Sequence, residues 1–61
     1  MRLETTDGKI VEVEVDQSSL VSDRRVSLLV YEETEGGAVT YLTLDEARQV
    51  IAGLQEAINS A

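Results

Sequence analysis

Apolar and polar residues alternate from Lys9 to Asp16, where Val11, Val13 and Val15 interleave with Glu12 and Glu14. Successive side chains of an extended chain point to opposite faces, so a period of two predicts a strand with one dry and one wet face. The same period from Arg24 to Glu33 puts Val26, Leu28 and Val30 on one face. Met1 to Thr5 and Ala38 to Leu42 read as two further strands, the latter from the β-branched and aromatic character of Val39, Thr40 and Tyr41.

After Thr43 the period changes. Ala47, Val50, Ile51, Leu54 and Ile58 recur at helical spacing and make one apolar stripe. Thr43-Leu44-Asp45-Glu46 fits a capping box, and its two acids suit the positive end of the helix dipole. The predicted fold is therefore α+β. It has a four-stranded antiparallel sheet of two hairpins, followed by one C-terminal amphipathic helix packed on one face. The whole makes a single ββββα domain over residues 1–61.

A register slip of one residue turns every side chain to the other face, so the apolar pattern decides between turns. In the first hairpin, a three-residue turn of Thr6-Asp7-Gly8, with Gly8 left-handed, sets Leu3 opposite Val11 and Arg2 opposite Glu12. In the second, a turn of Glu35-Gly36-Gly37 would set Val30 opposite Leu42, Leu28 opposite Leu44 and Tyr31 opposite Tyr41. The intervening Gln17 to Asp23 reads as a loop, with Leu20 and Val21 tucked against the sheet.

Length and composition change the picture in one respect. A chain of 61 residues buries only about 60 % of the surface its unfolded form exposes. Small domains compensate with disulfides, a structural metal or association. With no Cys and no His, disulfides and the common zinc sites are excluded, and association is left. A homo-oligomer, most simply a dimer, is expected. No apolar run is long enough to span a membrane, and the start lacks the apolar stretch of a signal peptide, so a cytoplasmic protein is expected.

The net charge of −7 is spread along the chain, with acids outnumbering bases in every part. Such a surface repels phosphate, which argues against direct nucleic-acid binding and against anionic membranes, and would attract a basic protein. Candidate chemistry is sparse. The commonest acid-base and nucleophilic side chains, His and Cys, are missing, so no catalytic residue, cofactor site or metal site is assigned and no enzyme is expected. Glu12, Glu14 and Asp16 read as the wet face of a strand, and Arg24-Arg25 as a positive spot offsetting neighbouring acids.

Two surfaces stand out. With the helix over the Val11, Val13, Val26, Leu28, Val30 and Leu42 face, the opposite face carries Ile10, Leu29, Tyr31, Val39 and Tyr41, an apolar cluster of the kind that marks an interface. Glu32, Glu33 and Glu35 form an acidic cluster at a hairpin end, suited to a basic partner.

The stretch Thr43-Leu44-Asp45-Glu46-Ala47-Arg48-Gln49-Val50-Ile51-Ala52-Gly53-Leu54 resembles the closing helix of many small sheet-plus-helix proteins from actinobacteria and their phages. The C-terminal segment to which that resemblance applies, residues 43–61, is about a third of the chain. It implies a phage or accessory-genome origin and carries over no catalytic or binding residue. The expected function is a non-catalytic protein-protein interaction module that self-associates through its exposed sheet face. The alternative is a small acidic inhibitor, phage-encoded, that occupies the basic nucleic-acid-binding surface of a host or defence protein.

Overall fold

The computed structural model describes residues 1–16 and 23–61. Four strands, β1 (Arg2–Glu4), β2 (Ile10–Val15), β3 (Arg24–Glu32) and β4 (Gly36–Thr43), run antiparallel in the order β1-β2-β3-β4. One helix, α1 (Leu44–Ser60), follows and packs on the sheet, against β3 and β4, so the fold is α+β. Apart from Asp23, the loop expected over Gln17 to Asp23 lies outside the described residues.

The first hairpin has the register that its apolar pattern requires. Leu3 faces Val11 and Arg2 faces Glu12. Thr5 N–H donates to the Lys9 carbonyl at 2.9 Å, which leaves Thr6-Asp7-Gly8 as the turn. Gly8 takes φ +90°, a conformation that a side chain would strain. The Thr5 hydroxyl donates to Asp7 across the turn, and this bond, followed by the Asp7 and Lys9 surroundings, holds the Asp7 carboxyl below its usual range.

The second hairpin departs from expectation. Val30 faces Ala38 in place of Leu42, Leu28 faces Thr40 in place of Leu44, and Tyr31 faces Gly37 in place of Tyr41. The turn falls on residues 33–35, and both glycines belong to β4. Gly36 takes φ +71°, and a Cβ on Gly37 would collide with the Val30 carbonyl and the Tyr31 backbone. The chain thus uses this glycine pair for a left-handed residue and a close backbone approach just after the turn. The displacement is an even number of residues, so each side chain keeps its predicted face while its neighbours change. At the other end of β3 the register shifts between Arg24 and Val26, where β3 spends one residue more than β4.

No loop separates β4 from α1: Thr43 ends the strand and is also the N-cap. The capping box forms as its sequence dictates. Glu46 N–H donates to Thr43 Oγ1 at 3.0 Å, and Thr43 N–H donates to Glu46 Oε1 at 2.9 Å. The contact with the sheet is made by the first turns, where Glu46 and Ala47 are half-buried, and every residue from Arg48 onward is exposed. The apolar stripe, on a helix expected to pack along one sheet face, lies largely outside that contact. Val50, Ile51, Leu54 and Ile58 are 40 %, 66 %, 61 % and 66 % exposed. Among the described residues only Ile10 is fully buried.

Candidate interaction surfaces

The register sorts the sheet into two chemically different faces. On one, Leu3, Val11, Val30 and Ala38 form a row across all four strands, followed by Val13, Leu28 and Thr40, then Val15, Val26 and Leu42. No charged side chain interrupts these rows. Leu3, Val15 and Val30 are exposed and the other Val and Leu side chains are half-buried. This is the face that the helix was expected to cover.

The opposite face mixes apolar and charged groups. Its rows are Glu4, Ile10, Tyr31 and Gly37, then Arg2, Glu12, Leu29 and Val39, then Glu14, Ser27 and Tyr41. A polar web crosses it. Tyr31 Oη donates to Glu12 Oε1 at 2.8 Å, and Arg2 Nε lies 3.5 Å from the same oxygen. Arg2 also reaches Glu4 at 3.1 Å, and its pKa is raised, first by the Tyr31 hydroxyl and then by Glu4 and Glu12.

The five residues expected at an interface all occupy this second face, in three different situations. Ile10, flanked by Glu4 on β1 and Tyr31 on β3, is 3 % exposed and presents no surface. Leu29 and Tyr31 are half-buried, with the Tyr31 hydroxyl engaged by Glu12. Val39 and Tyr41 are exposed. They sit on neighbouring rows of the edge strand β4, opposite Leu29 and Ser27 respectively.

The acidic cluster is divided. Glu32 forms an ion pair with Lys9, and Glu33 lies 3.9 Å from Arg2, while Glu35 is an exposed turn residue. Among the described residues no group of three or more Asp or Glu is arranged to hold a metal ion. Glu12 and Glu14 are met instead by Tyr31 and Arg2 and by the Met1 amino group.

One contact has no simple sequence signature. Arg24 forms an ion pair with Glu46 and donates to the Tyr41 carbonyl at 3.1 Å, tying the bulged end of β3 to the first turn of α1. The Thr43 N–H holds the Glu46 carboxyl below its ordinary value; burial opposes this, and the Arg24 charge adds to the lowering. The capping half of this arrangement was legible in the sequence. The Arg24 half required the β3 to β4 register.

No family model, curated protein or solved structure matches the chain. Among the described residues no helix is long and apolar enough to cross a membrane.

Proposed function

We propose that the chain is a non-catalytic interaction module whose first partner is a second copy of itself. The observation that carries this reading is its surface. The chain exposes 4937 Å², whereas a compact folded monomer of 6.7 kDa exposes about 3,900 Å². Exposed apolar side chains of the described residues make up part of that area: Ile51, Leu54 and Ile58 on the helix, and Leu3, Val15 and Val30 on the sheet. The radius of gyration agrees: it is 13.1 Å, against about 10.5 Å for a compact chain of this length.

The exposed area is apolar where it matters. It includes the helix stripe and the uncharged sheet face, and a single buried side chain among the described residues cannot stabilise a fold. Val39 and Tyr41 on the second face add a smaller patch. The alternative, an acidic inhibitor of a basic nucleic-acid-binding surface, draws support from the net charge of −7. It draws less from Glu32 and Glu33, which already have cationic neighbours in Lys9 and Arg2.

Light scattering at micromolar concentration, at low salt and again at about 1 M salt, tests the reading. Ion pairs between exposed groups are screened at high salt, whereas apolar burial is not. A dimer mass under both conditions is expected. A monomer at either salt refutes self-association through apolar surface.

A further inference from the structure

We infer that the dimer is reciprocal: the helix of each copy lies across the uncharged sheet face of the other. The inference rests on the self-association just proposed and adds the surfaces and their arrangement.

The first reason is the connection between β4 and α1. Strand-to-helix connections usually take about 2–6 residues, and a helix that doubles back over its own sheet needs them to reverse the chain. Here there are none, because Thr43 is the last residue of β4 and the N-cap of α1. The capping box and the Arg24 to Glu46 ion pair fix the departure of the helix at that point. The helix therefore leaves its own sheet after its first turns, with Ile51, Leu54 and Ile58 open.

The second reason is fit. Three apolar rows two residues apart span about 13 Å along the strands, and the rows, three or four strands wide, span about 10–14 Å across. The stripe from Ala47 to Ile58 is about 16 Å long. One helix matches one such face. The third reason is closure. In a two-fold dimer the same two patches are used on both copies, so reciprocal exchange covers both stripes and both faces at once. Pairing sheet to sheet would leave the two stripes open, and pairing helix to helix would leave the two faces open.

The absence of Cys gives a direct test. Two single variants are made, L28C on the sheet face and L54C on the stripe, one of them isotopically labelled. They are mixed, partly unfolded together, refolded and oxidised gently. Trypsin separates the two positions, because cleavage after Arg25 and Arg48 places position 28 and position 54 in different peptides. The expected product joins the 26–48 peptide of one copy to the 49–61 peptide of the other, in several-fold excess over either like-with-like link. Each chain carries one thiol, so that link is intermolecular by construction. A predominance of 28-to-28 or 54-to-54 links, or the absence of any link in a sample that sediments as a dimer, overturns the reciprocal arrangement and leaves self-association standing. Wild type that sediments as a monomer at the same concentration overturns both.

Discussion

Leu54 separates a helix that completes its own core from one that completes a neighbour's. It sits mid-stripe and is 61 % exposed in the single chain. Burying a whole leucine side chain is worth about 1.5–3 kcal/mol, so burying its exposed part in a partner is worth about 1–2 kcal/mol. A symmetric dimer counts the residue twice, which gives about 2–4 kcal/mol for Leu54→Ala. At about 1.4 kcal/mol per tenfold, the dissociation constant should rise roughly 30- to 700-fold. Ala is as good a helix former as Leu, so the change acts on association and not on the helix itself. Sedimentation velocity on a dilution series of both proteins measures the two constants. A dissociation constant within threefold of wild type would refute the assignment of the stripe to the interface. A loss of about 2–5 kcal/mol at every concentration would instead mark Leu54 as part of a monomer core.

Three further outcomes follow from the geometry. Gly37→Ala should lower the melting temperature clearly, because its Cβ meets the Val30 carbonyl and Tyr31 backbone, whereas Gly53→Ala, with open space around it, should be neutral or stabilising. Glu46 has a carboxyl held below its unfolded value of 4.5, so its contribution is fully present above that pH and is lost as pH falls through the lower folded value. The stability gap between wild type and Glu46→Gln should therefore be constant above pH 4.5 and close below it, and a gap that stays constant in acid would remove Glu46 from the pH response. Chelator, magnesium and calcium should each leave the melting temperature unchanged, and a shift of several degrees would return attention to Glu12, Glu14 and Asp16.

The elements were legible because each rests on a local signal, periodicity in β2, β3 and α1 and residue type in β4. Val11, Val13 and Val15 define β2, and Thr43 with Glu46 defines the start of α1. The first register was legible too, because Leu3 and Arg2 discriminate between turns on chemical grounds. The second was not. Gly36-Gly37 reads as a turn by composition, but the structure uses it just after the turn, where Gly37 allows β4 to approach Val30 and Tyr31. Several registers of the same parity keep Leu28, Val30 and Leu42 on one face, so apolar patterning alone could not choose among them. Ile10, read as part of an interface patch on the mixed face, lies between Glu4 and Tyr31 and is the one buried residue among those described, which the alternation of side chains does not show. The helix stripe was read correctly as apolar and amphipathic. What covers it depends on the direction in which a helix leaves a strand without a loop, and that is a property of tertiary geometry.

The central claim is that the core of this fold is completed by a second copy, so folding and association should be one equilibrium. Thermal unfolding followed by circular dichroism at two protein concentrations a hundredfold apart tests this directly. Mass action contributes about 2.7 kcal/mol over that range, which for a unit of two such chains corresponds to a rise in melting temperature of roughly 10 °C. A rise of that size, with a single cooperative transition, is the predicted result; a melting temperature independent of concentration would show that one chain folds alone and would contradict the account.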